Sequence, residues 1–188
     1  MIAHYVQPMT NFTSITMSYS KVEDRIHIAL ALEGDQYLRM WMTQRLARQL
    51  VVTLARHLEK TERPRQQSNS QDSGPAPAPT PVERAESLAR EQAHAIARLK
   101  PTQPTIPPPD MPVWLIKDVR LTLWRARVGV QFSSDLDVQP AAMLNRTMVR
   151  QWLSMLHRQF VNGDWPLDVW PQWLRDSPSW AAAGITQH

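Results

Sequence analysis

The chain repeats one order of predicted elements, strand, strand, strand and helix, on either side of a proline-rich middle. In the first unit, residues 1–60, apolar side chains alternate with polar or small ones, which is typical of half-buried strands. Gly34 and Asp35 provide turn chemistry between the last two strands, since glycine tolerates a positive φ. Thr43 is predicted to cap a helix whose leucines recur every fourth residue. The alternating runs are 15–19, 26–32 and 38–42, and the leucines are Leu46, Leu50, Leu54 and Leu58.

The second unit, residues 113–163, has the same pattern. Short apolar segments predict three strands, at 113–115, 119–123 and 128–132. Pro140 suits the first turn of a helix, where its missing N–H costs nothing, and Gly163 is placed to end that helix. The apolar residues of this predicted helix are Leu144, Met148, Trp152, Leu156 and Phe160.

These patterns predict an α+β fold built from two antiparallel β-β-β-α units. We interpret the repeated order as an internal duplication at the level of pattern, because residue identity between the units is slight. A unit of about 50 residues is too small to stabilise a core alone, so we expect the two units to pack into one domain or to pair with a second chain.

The middle of the chain, residues 61–112, is predicted to be a proline-rich arm. Residues 61–81 contain no large aliphatic side chain, and 101–112 are dominated by proline, so both are expected to be flexible or polyproline-like linkers. Between them, residues 82–100 predict an amphipathic helix whose apolar stripe includes Leu88 and Ile96. Such a helix either packs on its own domain or docks in a partner.

The tail, residues 164–188, is rich in tryptophan. Its four tryptophans are Trp165, Trp170, Trp173 and Trp180. Tryptophan brings a large apolar area that closes a core when buried and dominates an interface when exposed. The tail is therefore predicted either to cap the sheet of its own domain or to anchor a partner.

The positive net charge of the chain raises the question of whether it binds nucleic acid. The chain has 21 Lys and Arg against 17 Asp and Glu, a net charge of +4, and the excess is spread evenly. Rows of arginine on the two predicted helices are nevertheless a candidate phosphate-binding ridge. The rows are Arg45, Arg48 and Arg56, and Arg146, Arg150 and Arg158. Single-strand binding also needs exposed aromatic rings, for which Trp41 and Trp124 are candidates.

Several chemistries are not expected. Without cysteine there is no disulfide, thiolate nucleophile or cysteine metal ligand. The six histidines lack helical metal-site spacing, and Asp135 and Asp137 are better explained as turn residues than as a metal pair. Gly-rich phosphate loops and serine nucleophile elbows are absent. We expect no enzyme, cofactor, metal or small-molecule substrate.

The sequence also predicts where in the cell the chain is found. No apolar run approaches the roughly 20 residues of a membrane span. Met1–Asn11 has neither a basic n-region nor an apolar h-region, so the cytoplasm is expected.

The leading hypothesis is a noncatalytic protein–protein interaction protein, an accessory, assembly or scaffold subunit of a larger bacterial complex. Its expected contact residues are the four tail tryptophans with Leu88 and Ile96, and its expected partner is another protein or a second copy. The alternative hypothesis is a nucleic-acid-binding protein that uses the arginine rows.

Overall fold

The computed structural model describes residues 9–61, 79–99 and 103–175. These ranges contain seven strands and four helices. The strands are β1 (Met9–Ser20), β2 (Arg25–Leu32), β3 (Tyr37–Met42), β4 (Val113–Leu115), β5 (Asp118–Trp124), β6 (Arg127–Ser133) and β7 (Gln139–Asn145). The helices are α1 (Gln44–Thr61), α2 (Pro81–Ala97), α3 (Arg146–Asn162) and α4 (Gln172–Arg175). None of these helices is long and apolar enough to cross a membrane.

All seven strands belong to one mixed sheet, in the order β4-β3-β2-β1-β7-β6-β5. The pairs β1–β7 and β3–β4 are parallel, and the other neighbours are antiparallel. The predicted α+β class is therefore confirmed. The second unit differs from the prediction. β4 pairs in parallel with β3 and does not form an antiparallel unit with the two strands that follow it.

The prediction of a helix from Pro140 is wrong. Residues 139–145 form β7, which lies between β1 and β6, and α3 begins only at Arg146. Asn145 is the N-cap, and its side-chain oxygen accepts a hydrogen bond from the Met148 N–H at 2.9 Å. The four-residue apolar spacing of α3 happens to extend back to Leu144, so periodicity alone placed the helix start too early.

The sheet curls, so that its two end strands lie close together. β4 and β5 are at opposite ends of the strand order, yet Ile116 and Lys117 alone separate them in the chain. The Ile116 N–H donates to the Trp41 carbonyl of β3 at 2.9 Å, and the Lys117 N–H donates to the Ser133 carbonyl of β6 at 2.8 Å. Because a residue spans at most about 3.6 Å, the two edges of the sheet must lie close together.

One core fills the inside of this curled sheet. The inner faces of the strands pack against α1 and α3, and the predicted leucine stripe of α1 is buried throughout. Near the centre, the rings of Phe12, Phe132 and Trp152 stack in a group with centroid distances of 5.9–6.2 Å. Thr43 accepts a hydrogen bond from the Leu46 N–H, as predicted for the cap of α1. Gly34 and Asp35 both have positive φ, as the predicted tight turn requires.

Gly163 ends α3, as predicted, but its second role was not visible in the sequence. Its N–H donates to the Gln159 carbonyl at 3.0 Å. A Cβ atom at this position would lie 2.6 Å from Cε2 of Tyr19, so the end of α3 reaches β1 only because residue 163 has no side chain.

Gly163→Ala is therefore expected to destabilise the fold by about 1–3 kcal/mol, the usual cost of overpacking a filled site. In urea unfolding, the loss of stability appears as a lower midpoint urea concentration for the variant than for the wild type. In a Tyr19→Leu background the same substitution should cost less, because the obstructing ring is gone. An equal cost in both backgrounds would contradict the steric explanation.

Candidate functional site

The predicted tail anchors are mostly part of the protein's own core. Trp165, Trp170 and Trp173 are each 6% exposed or less. The Phe160 ring of α3 meets Trp165 and Trp170 edge to face, with centroids 5.1 and 5.3 Å away. Trp180 lies outside the described residues. The described part of the tail thus caps its own domain, and these three indoles do not offer a surface to a partner.

Polar contacts hold the tail against the first part of the chain. The Trp165 N–H donates to Asp24 at 2.8 Å, and the same carboxylate accepts from the Tyr19 hydroxyl at 2.6 Å. These two hydrogen bonds, Tyr19 first, lower the pKa of Asp24. The Trp173 N–H donates to Glu59 at 2.9 Å. Each of these two indoles therefore satisfies its single donor with a carboxylate.

The predicted amphipathic helix packs within the same chain. Observed as α2, it begins at Pro81 after the N-cap Thr80, which forms a capping box with Glu83. It lies against α3 and α4, with Leu88 buried and Ile96 half-buried. These two predicted partner contacts are accordingly engaged at least in part by the protein itself.

Arg150 of α3 joins α2 to the tail. Its side chain is buried and donates to the Leu88 carbonyl at 3.2 Å and to the Gln92 amide oxygen at 3.4 Å. Its guanidinium carbon lies 5.6 Å from the centre of the Trp173 ring, a cation–π distance. Gln92 in turn donates to the Arg150 carbonyl at 3.0 Å and to Ser154 at 2.9 Å. This network takes Arg150 out of the predicted nucleic-acid row.

Only part of the two arginine rows is available on the surface. Arg48 forms a two-pronged ion pair with Asp168, with both N–O distances 2.7 Å. Arg146 donates to the Thr61 carbonyl at 3.0 Å. Arg45, Arg56 and Arg158 are exposed. Since at least half of the six side chains serve internal contacts, the rows do not make the continuous basic ridge that the sequence suggested.

His27 and His157 have different surroundings in the fold. His27 is on the outer face of β2, where its ring meets Trp41 edge to face, whereas His157 is buried against Trp170. Asp135 pairs with Lys117. No group of three or more potential metal-ligating side chains occurs within the described ranges. Burial lowers the pKa of His157 to about 4.

A proline-rich segment lies across one half of the outer sheet face. We call residues 103–112 the strap. The Thr105 N–H donates to the Thr16 hydroxyl at 2.9 Å, and the Thr105 and Ser14 hydroxyls are 2.8 Å apart. Arg39 of β3 donates to the carbonyls of Pro109 and Met111 at 2.9 and 3.0 Å. The strap, expected from composition to be flexible or polyproline-like, is thus tied to β1 and β3.

The other half of the outer face carries an exposed tryptophan among arginines. We call Arg120, Thr122, Trp124, Arg127 and Gly129 the Arg–Trp face. Trp124 is 49% exposed, in contrast to the buried indoles of the tail. Sequence reasoning missed the grouping, although the alternation Arg120, Thr122, Trp124 along β5 already placed these side chains on the polar face.

The chain was compared with protein-family models, curated proteins and solved structures, and none of them matched.

Arg150→Ala is expected to destabilise the protein by about 1–3 kcal/mol, because it leaves buried acceptors on α2 without a donor. Urea unfolding followed by tryptophan fluorescence measures the loss. Arg56→Ala removes the same side chain from an exposed position of α1 and should change stability by no more than about 0.5 kcal/mol. Equal midpoints for the two variants would contradict the structural role of Arg150.

Stability is expected to fall as the pH drops from about 6.5 to about 4. The unfolded chain protonates His157 near its ordinary pKa of 6.5, whereas the folded protein resists protonation until about 4. Protons therefore bind preferentially to the unfolded state in this window. The contribution of His157 is complete above pH 6.5 and is lost as the pH falls through the window.

His157→Phe should make the free energy of unfolding less dependent on pH across this window. Urea titrations at closely spaced pH values measure the slope, and His94→Phe, at an exposed position of α2, is the matched substitution. Identical slopes for wild type and His157→Phe would show that His157 is not the group responsible.

Proposed function

We propose that this chain is a noncatalytic, cytoplasmic protein–protein interaction protein, an accessory, assembly or scaffold subunit of a larger bacterial complex, and that the strap is its docking segment. The observation that supports this proposal is a proline-rich peptide held in place on a sheet with its apolar side chains turned outward. Ile106 is 78% exposed, and Pro104, Pro108 and Pro109 are exposed as well.

The strap has a restricted backbone even before it meets the sheet. Each proline fixes its own φ and disfavours helical geometry in the residue before it. Five of its ten residues are prolines, at 104, 107, 108, 109 and 112. The hydrogen bonds from Thr105 and Arg39 remove further freedom. A partner would therefore lose little entropy in ordering this segment, which favours binding.

The chemistry of the strap indicates the kind of partner. Pro104 and Pro107 are spaced as in Pro-x-x-Pro ligands, which dock in grooves lined by aromatic side chains. Ile106 lies between these prolines and offers an apolar side chain at the same place. The proposed partner is thus a protein with an aromatic-lined groove for proline-rich peptides.

The predicted anchors contribute less to this proposal. Leu88 and the three described tail tryptophans are buried in the protein's own core. A partner could use them only if α2 or the tail were displaced. The arginine rows give the alternative, nucleic-acid binding through the helices, little support because Arg48, Arg146 and Arg150 have internal partners.

We also infer that the fold arose by internal duplication, with different strands from those expected. Support comes from two consecutive antiparallel series, β1-β2-β3 and β5-β6-β7, each followed by a long helix. In the sheet order the two series run in the same sense and meet at the parallel β1–β7 pair.

Ile106→Ser combined with Pro104→Ala is expected to weaken the protein partner's affinity at least tenfold, because central apolar contacts dominate interfaces. The full-length protein is used as bait in its native cells, with nuclease present, and the captured partner is then purified for titration. A stoichiometric partner that survives nuclease and loses affinity for the variant is the expected result.

Val22→Ser is the matched control, since Val22 is 93% exposed in the β1–β2 turn, away from the strap. The unfolding midpoint of each variant shows that the fold is kept. If the partner binds the strap variant as well as wild type, or loses equal affinity with Val22→Ser, the strap is not its docking segment.

A further inference from the structure

The Arg–Trp face consists of side chains that the register of two strands brings together. Thr122 of β5 lies opposite Gly129 of β6, and Trp124 lies opposite Arg127. Because side chains alternate along a strand, Arg120 projects from the same face as Thr122 and Trp124. The other face of β6 is buried in the core through Val128, Val130 and Phe132. The Arg–Trp face therefore points away from the core.

Trp124 lies over the one position of β6 without a side chain. A Cβ atom at Gly129 would be 3.2 Å from Cζ3 and 3.6 Å from Cη2 of the indole. The indole thus rests against the strand backbone while about half of its surface remains exposed. An exposed tryptophan on the outer face of a sheet is an available stacking surface.

Positive charge surrounds this indole. Residues 118–133 contain three arginines, Arg120, Arg125 and Arg127, against one acidic residue, Asp118. All three arginines are exposed, and none forms an ion pair within the part of the chain that the structure describes. Asp118 lies two residues before Arg120 on the same face, so the positive charge is greatest at the Trp124 end.

The spacing of these groups suits an anion that also carries flat rings. Arg127, directly opposite Trp124, lies about 5 Å away between Cβ atoms. Arg120 is four residues along the strand, or about 14 Å. Thr122 and Gly129 lie opposite each other between them, and the indole of Trp124 lies over Gly129. A ring can therefore stack on the indole while arginines at both ends reach phosphates.

We infer that the Arg–Trp face is a binding site for single-stranded nucleic acid. Arginine forks pair with phosphate oxygens, and an indole stacks any base that is not already paired. Other sheets that bind single strands also use aromatic side chains on their exposed faces. An acidic peptide would pair with the arginines but would leave the indole without a stacking partner. The site is separate from the strap, so the inference does not rest on the proposed function.

The test is fluorescence anisotropy of the full-length protein with a labelled 20-nucleotide single strand of mixed sequence, in DNA and RNA forms, and with the matching duplex. The expected result is tighter binding of the single strand than of the duplex. Trp124→Leu should weaken single-strand binding by roughly 5- to 100-fold, the range for losing one stacked base. Trp124→Phe keeps an aromatic ring and should restore most of the affinity.

Three further variants test the geometry. Arg120→Gln with Arg127→Gln should reduce the slope of log affinity against log salt concentration, in absolute value, by about 1.4, which is the contribution of two single-strand phosphate contacts. Arg45→Gln with Arg56→Gln changes net charge equally on α1 and should leave the slope unchanged. Gly129→Ala places a methyl group against the indole and should weaken binding without removing the ring. Unfolding midpoints establish that each variant is folded.

Several results would overturn the inference. One is the absence of single-strand binding at low salt, and another is equal affinity for single strand and duplex. A third is a salt dependence of binding that decreases as much in the Arg45→Gln, Arg56→Gln variant as in the Arg120→Gln, Arg127→Gln variant. Competition by polyglutamate that is as strong as by unlabelled strand, with no effect of Trp124→Leu, would instead assign the face to an acidic protein. Ile106→Ser should bind nucleic acid normally, which separates failure here from failure of the strap proposal.

Discussion

The structure depends on the two-residue link between β4 and β5, the two end strands of the sheet, which is hydrogen-bonded to β3 and β6. Ile116 is buried there and donates to β3, while Lys117 donates to β6. Because two residues separate the end strands, the sheet has to curl, and all its strands share one inner face. The core residues of α1 and α3 fill that face. Any binding surface on the sheet must then lie on its outer face, which is where the strap and the Arg–Trp face are found.

The packing of the helices on this inner face also explains why Trp165, Trp170 and Trp173 are structural. A small domain needs large apolar groups to cover the open side of its helix layer, and tryptophan covers the most area per residue. Trp165 and Trp173 find carboxylates for their N–H groups in Asp24 and Glu59. The indole N–H of Trp170, by contrast, has no hydrogen-bond partner in the described ranges, and the indole ring meets the rings of His157 and Phe160 edge to face. The same residue type is equally suited to an interface, so composition alone could not distinguish the two roles.

Features with a local signal were predictable. Thr43 and the leucine stripe defined α1, and the positive φ angles at Gly34 and Asp35 followed from turn chemistry. β7 was missed because Pro140 and the two alanines after it show no alternation, and their burial comes from pairing with β1 and β6. The parallel pairs β1–β7 and β3–β4 join segments far apart in the chain. Nothing within either strand records which distant strand it meets, so the arrangement of the sheet could not be predicted.

The two halves of the outer face differ in whether their polar and charged side chains have partners within the described residues. Around the strap, the hydroxyls of Ser14 and Thr16 and the guanidinium of Arg39 are used to hold a peptide. Around Trp124 no backbone crosses the sheet in the described residues, and the arginines there have no carboxylate partner. One half therefore presents a fixed apolar peptide, whereas the other presents unpaired cations beside an exposed ring. Because the two halves share no residue, a protein bound at the strap and a nucleic acid bound at the Arg–Trp face would not compete for the same side chains.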